Sequence, residues 1–97
     1  MDIRVQTVKF DADKKLEAFI TKKVSKLDRF FDGIIAAEVS LSLTADHDNK
    51  KVSIRLELPG HDLIVERQRK TFEGGINQCV DALKVQIKKT KEKMRGQ

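Results

Sequence analysis

Two runs of strict alternation constrain this chain more than any other feature. Ala37, Val39, Leu41 and Leu43 alternate with Glu38, Ser40 and Ser42, and Val52, Ile54, Leu56 and Leu58 alternate with Ser53, Arg55 and Glu57. Successive side chains on a strand point to opposite faces, so each run has one apolar and one polar side. Between them, Asp46-His47-Asp48-Asn49 has the composition of a turn. The two runs therefore read as a hairpin with one wet face. Anything that packs on this sheet must pack on the other face.

The flanking segments supply the packing elements. Ile3, Val5 and Thr7 alternate with Arg4 and Gln6 and predict a first strand. Leu16, Phe19, Ile20, Val24, Leu27 and Phe31 recur at helical spacing, with Asp11 or Asp13 as a cap and Gly33 just past the end. Pro59-Gly60 predicts a type II turn, and Leu63 and Val65 begin a fourth strand that runs to about Arg67. Thr71 can cap a last helix, with Glu73 in its first turn and Phe72, Ile76, Val80, Leu83, Ile87 and Met94 on its buried stripe. Gly74 and Gly75 each cost that helix about 1 kcal/mol against alanine, which close approach to the sheet would offset. The order is β-α-β-β-β-α. It predicts an α+β two-layer sandwich, a four-stranded mixed sheet with both helices on one face, close to the arrangement of double-stranded-RNA-binding domains. Residues 1–97 form one domain, since two cores would need a longer chain.

Charge is unevenly placed. Of the net charge of +5, the whole excess lies in residues 82–97, where Lys84, Lys88, Lys89, Lys91, Lys93 and Arg95 face only Glu92. A localised positive field favours a polyanion, although lysines also favour helix C-termini. Helical geometry puts Lys84, Lys88, Lys91 and Arg95 in one arc of about 60°. Lys15, Lys22, Lys26 and Arg29 form a similar arc on the first helix, with Lys23 at its apolar edge. Side by side, the two arcs could line a phosphate-binding groove, or they could be two solvated flanks.

Catalytic readings are weaker. His47 and His61, both expected in turns, adjoin Asp46, Asp48 and Asp62, but successive turn residues seldom converge on one metal. Cys79 falls on the buried side of the last helix and reads as a core thiol rather than a nucleophile. A single cysteine excludes an intramolecular disulfide. There is no phosphate loop, dinucleotide fingerprint or nucleophile elbow. No cofactor or small-molecule substrate is expected, and no enzymatic activity. No apolar run reaches membrane-spanning length and no signal peptide is visible, so a cytoplasmic protein with no membrane partner is expected. The chain has no Trp or Tyr, and its phenylalanines mostly fall on buried stripes. That favours shape and backbone recognition over base stacking.

Two segments resemble a known bacterial family. Val80-Asp81-Ala82-Leu83-Lys84-Val85-Gln86-Ile87-Lys88-Lys89-Thr90-Lys91-Glu92-Lys93 is similar to the closing helix of the ribosome hibernation promoting factor and ribosome-associated inhibitor family, also labelled sigma-factor modulation proteins. Lys26-Leu27-Asp28-Arg29-Phe30-Phe31-Asp32 is similar to that family's Lys-Leu-x-x-Tyr-Phe-Asp. The resemblance implies a monomer that docks on the small ribosomal subunit and its ribosomal RNA in stress or stationary phase. It would occupy the decoding region, exclude messenger and transfer RNA, and silence translation. It implies RNA contacts from Lys22, Lys23, Lys26 and Arg29, and from Lys88, Lys89, Lys91 and Lys93. Lys84 stands near Ala82 and Val85, where members often carry basic residues, and Arg95 joins by stripe geometry. Thr71-Phe72-Glu73-Gly74-Gly75 departs from the family's usual helix opening. With its end at Gln97, the chain is expected to lack the long form's dimerising domain. The alternatives are a general double-stranded-RNA-binding module and a protein that interacts with a transcription factor.

Overall fold

A computed structural model describes the backbone of residues 1–95 and the side chains of residues 1–93. The elements run β1 (Asp2–Val8), α1 (Lys14–Ser25), a 3₁₀ turn (Lys26–Arg29), β2 (Ala36–Leu43), β3 (Lys50–Leu58), β4 (His61–Arg69) and α2 (Phe72–Arg95). The sheet order is β1-β2-β3-β4. The crossover through α1 lays β1 parallel to β2, with Val5 opposite Val39, and the other pairs are antiparallel. This is the expected α+β sandwich, and it follows from the alternation. Val39, Leu41, Val52, Ile54 and Leu56 are fully buried under the helices, while Glu38, Ser40, Ser53 and Arg55 face away. The burial of Met94 expected from the sequence lies outside the described residues.

Of the two candidate caps, Asp13 closes α1: its Oδ1 accepts a hydrogen bond from the Leu16 N–H at 2.8 Å. Leu16, Ile20, Val24 and Leu27 form the buried stripe. The helix does not run on to Gly33. It tightens into a 3₁₀ turn at Lys26, with the Phe30 N–H bonded to the Leu27 carbonyl at 3.0 Å, a common way to satisfy the last carbonyls. Phe31, expected on the helical stripe, lies beyond the helix and is half-buried against the core, and Phe30 is exposed.

The β3–β4 connection is two residues long. Gly60 takes φ 88°, the positive value that a type II turn requires at its second central position. So short a link lets the ladder resume at once, with Leu58 opposite His61. Strand β4 thus starts two residues before Leu63 and ends at Arg69, and His61 belongs to a strand rather than a turn. The longer β2–β3 loop is anchored from β4: the Gln68 Nε2 amide donates to Thr44 Oγ1 at 3.0 Å and Asp46 Oδ2 at 2.8 Å.

The open face of the sheet carries a ladder of ion pairs. Arg4, Glu38 and Arg55 lie side by side across three strands, with Arg4–Glu38 and Arg55–Glu38 both at 3.6 Å. Arg55 also reaches Glu57 at 3.2 Å and Asp62 at 3.1 Å. Exposed pairs contribute about 0–1 kcal/mol each, so this ladder keeps the face wet and in register more than it holds the fold together.

Helix α2 is capped by Thr71, whose Oγ1 accepts from the Gly74 N–H at 3.0 Å. The two glycines that follow differ in role. A Cβ at Gly75 would come within 2.6 Å of Val52 Cγ2, so this is where the helix lies against β3. A Cβ at Gly74 would meet only its own cap, Thr71 Oγ1, at 3.0 Å, so the close approach expected of both belongs to Gly75 alone. Gly75→Ala should therefore destabilise the protein by about 1–2 kcal/mol despite the helix propensity it gains, because the core is overpacked. Urea unfolding measures this, and a variant as stable as the parent would refute the contact.

Cys79 is fully buried one turn further on, its Sγ 3.7 Å from the Val52 carbonyl oxygen. Burial pushes its thiol up from the ordinary 9.0 to about 11. The buried thiol stays protonated while the unfolded one ionises, so its stabilisation is complete below pH 9 and is lost as pH rises through about 11. Cys79→Ala should cost about 1 kcal/mol at neutral pH and remove that part of the alkaline loss. Thiol labelling of the native protein should proceed only as fast as unfolding exposes the group. Fast labelling without unfolding would overturn the core assignment.

Candidate nucleic-acid interface

The basic groove depends on how the helices lie. Phe10, just before α1, stacks on Phe72, the first residue of α2, with centroids 4.9 Å apart and planes 13° apart. At the other end Phe30, just after the 3₁₀ turn, lies under the Lys84 ammonium, 5.4 Å from ring centroid to Nζ. The helices therefore run side by side in the same direction, and α2 extends beyond α1 by its last turns. This brings Lys84 to the end of α1, where Lys22, Lys23, Lys26 and Arg29 are clustered.

The electrostatics report that convergence. The Lys26 ammonium is held below the ordinary lysine range by the charge of Lys23 first, then by partial burial, Lys22, Arg29 and Lys84. The last of these comes from the other helix. Like charges gathered in this way oppose the folded state until an anion sits among them, so a bound phosphate would both find a field and relieve a strain. Two lysines of the cluster rest on aromatic rings: Lys84 on Phe30, and Lys23 on Phe19 at 5.6 Å. Among the described residues, Lys84 is the one member of the basic set in an ion pair, a loose one with Asp81 at 3.9 Å.

Lys88 and Lys91 continue the row from Lys84. With Phe30, Val85 and Ile87, these three lysines line an open depression of about 300 Å³. Lys22 and Lys88 are exposed, whereas Lys26 and Lys91 are half-buried, their stems packed while their ammonium groups remain outward. Lys89 and Lys93 are exposed, but helical geometry turns them about 140° and 180° from Lys84, away from this row. The Arg95 side chain lies outside the described residues.

Lys15 sits at the far end of the interhelical line. There a second depression, of about 670 Å³, gathers Lys15, Lys50 and Lys70 around Phe10 and Phe72. Asp11, Asp13 and Glu73 share that end, so its charge is mixed, unlike the cluster around Lys26. Lys50 and Lys70 were not legible as site residues. They come together because β3 and β4 pair Lys50 with Arg69, next to Lys70. Phe30 was also missed, since the stripe pattern assigned it to no exposed role. Its only sequence signal is that it is an aromatic residue three positions after Leu27 and off the apolar stripe.

His47 is exposed in the β2–β3 loop and His61 opens β4. Among the described residues no three His, Cys, Asp or Glu side chains are grouped to hold a metal ion. No described helix is long and apolar enough to cross a membrane.

Comparison with known proteins agrees with this fold. The chain is 25% identical over 93 residues to a ribosome hibernation promoting factor of Azotobacter vinelandii, covering 96% of this chain and 85% of that one. It is 26% identical over 90 residues to a ribosome hibernation promotion factor of Deinococcus radiodurans, of which it spans about half, 47%. Among solved structures, the N-terminal domain of Thermus thermophilus Protein Y matches with TM-score 0.83 and 28% identity, covering 93% of this chain and 99% of that one. A ribosomal subunit interface protein from Coxiella burnetii matches with TM-score 0.85, covering 95% and 99%; at 18% identity it speaks for the fold alone. The model of the Sigma 54 modulation protein / S30EA ribosomal protein family matches residues 3–95, and the chain belongs to that family.

Proposed function

We propose that this protein is a ribosome hibernation factor that binds ribosomal RNA of the small subunit at the decoding region and keeps messenger and transfer RNA out. The observation that carries the reading is the meeting of Lys22, Lys23, Lys26 and Arg29 with Lys84, Lys88 and Lys91 from a second helix. The names of its relatives support the ribosome as the partner. The protein does no chemistry there. Lysines on two parallel helices neutralise phosphates on neighbouring backbone segments, and the released counterions supply much of the affinity. A packed body with principal extents of 45 × 24 × 18 Å then blocks the space physically. In this reading the protein acts as a monomer in the cytoplasm and lowers translation under stress or in stationary phase.

A second reading is a general double-stranded-RNA-binding module. The two parallel helices on one sheet face favour it, because that arrangement suits recognition of an RNA helix by its backbone. Sedimentation with small subunits in the presence of excess free duplex RNA distinguishes the two. A hibernation factor stays with the subunit, and a general binder is stripped from it.

Changing Lys22, Lys26, Lys88 and Lys91 together to glutamine should leave the fold intact, since none of their charged ends is buried in the core. Subunit affinity should fall by about 100-fold or more near 0.1 M salt, and the log–log salt slope should shallow by about 3. A folded variant that still sediments as the parent does would refute the groove.

Occlusion predicts reciprocity. Initiator transfer RNA and this protein should each lower the other's affinity for the small subunit by the same factor, because linkage makes the coupling symmetric. A titration of labelled protein against prebound transfer RNA measures it. Independent binding of both would defeat the occlusion mechanism while leaving ribosome binding in place.

A further inference from the structure

The depression beside Phe30 has a character that phosphate binding alone does not explain. Its rim is cationic, with Lys84, Lys88 and Lys91, while its lining is apolar, with Phe30, Val85 and the side of Ile87. Phe30 is 39% exposed and Val85 is 55% exposed, both large apolar side chains on an otherwise polar helix flank. A phosphate would satisfy the lysines and leave the apolar lining wet. An apolar peptide side chain would cover the lining and crowd the lysines without a counter-charge. A nucleotide has both parts, a flat apolar base face and an anionic phosphate, joined at a distance of a few ångströms.

We infer that this slot takes one unpaired nucleobase against the Phe30 ring while the flanking phosphates meet Lys84, Lys88 and Lys91. The inference rests on the proposed RNA-binding reading and adds to it a base contact and a preference for unpaired RNA. The Lys84 ammonium lies over one face of the ring, 5.4 Å from its centroid, and moves aside for a base to stack there. Its pairing with Asp81 at 3.9 Å is loose, so it can swing to a phosphate as a base arrives. The volume, about 300 Å³, is at the small end for ligand-sized sites and suits one base rather than a run of them. A base inside a duplex is covered above and below by its neighbours, so only a splayed-out nucleotide can enter. The chain is poor in aromatic residues, but one exposed ring within a basic cluster is sufficient for one stacked base.

The test compares two fluorescent RNA probes by anisotropy with this chain: unpaired oligoadenylate or oligouridylate of about 10 nucleotides, and a duplex of about 16 base pairs. Phe30→Leu keeps apolar volume but removes the π-face. It should reduce the preference for the unpaired probe over the duplex by about 5- to 100-fold, the range of one lost base stack. Phe30→Tyr should retain that preference. The salt slope should stay as in the parent, because no phosphate contact is lost. An unchanged preference in Phe30→Leu would overturn the inference and leave the slot to an apolar protein side chain. Equal losses on both probes would overturn it as well, by reducing Phe30 to a structural role. Failure of the unsubstituted protein to bind either RNA would sink the parent reading, and the inference with it.

Discussion

The contact between Gly75 and Val52 sets the position of the helix that carries half of the candidate interface. Helix α2 can lie on β3 only because no Cβ stands between them; one there would be 2.6 Å from Val52 Cγ2. Val52 also receives the Cys79 thiol on its carbonyl, so two successive turns of α2 rest on the same strand residue. That seat fixes the height and direction of a helix whose far turns carry Lys84, Lys88 and Lys91. A small-residue seat costs helix propensity, about 1 kcal/mol, and gains a dense interface in return. Phe72 on α2 and Leu16, Ile20 and Val24 on α1 then fill the space on either side, which brings the helices parallel.

One-sided burial explains the division of labour between the two faces. Every buried side chain on the covered face is apolar, and no buried side-chain polar atom among the described residues lacks a partner. The open face balances its charges locally, with Arg4, Glu38, Arg55 and Asp62 linked in sequence. Among the described residues Lys50, Arg67 and Arg69 carry unpaired positive charge on β3 and β4, while the lysine-rich cluster lies in the helix layer. Within that layer the acidic residues at the N-terminal ends of both helices, Asp11, Asp13 and Glu73, offset nearby lysines and favour the helix dipoles. The uncompensated field is displaced to the opposite end, around Lys26 and Lys84. The same arrangement of caps and charges that makes the helices form also locates the candidate interface.

Much of this was legible in particular residues, and the failures were local. The alternation from Ala37 to Leu58 required a wet-faced sheet with its helices on the other side, and Asp13, Thr71 and Gly60 take the roles their chemistry suggested. The end of α1 was misjudged because a stripe pattern cannot register a change from α to 3₁₀ winding, which takes Phe31 out of the helix and leaves Phe30 at the surface. Strand β4 was underestimated because its first residues, His61 and Asp62, are polar and owe their conformation to pairing with β3 rather than to propensity. Gly74 and Gly75 look alike as letters, and only their position over Thr71 and Val52 separates a cap from a seat.

The basic residues mark the boundary between the two kinds of information. Sequence alone determined the arc of Lys84, Lys88 and Lys91 on α2, because a 3.6-residue period is a property of a single segment, whereas the first arc crosses into the 3₁₀ turn at Lys26–Arg29. It also determined which face of each helix is buried, since apolar stripes have a single way to be hidden. Whether the two arcs would meet was decided only by tertiary structure. Parallel packing on one sheet sets Lys84 beside Lys26, positions 58 residues apart, and it lays Lys84 over Phe30. A field made by several charges depends on distances in space, and those distances exist only after both helices have been seated on the same four strands.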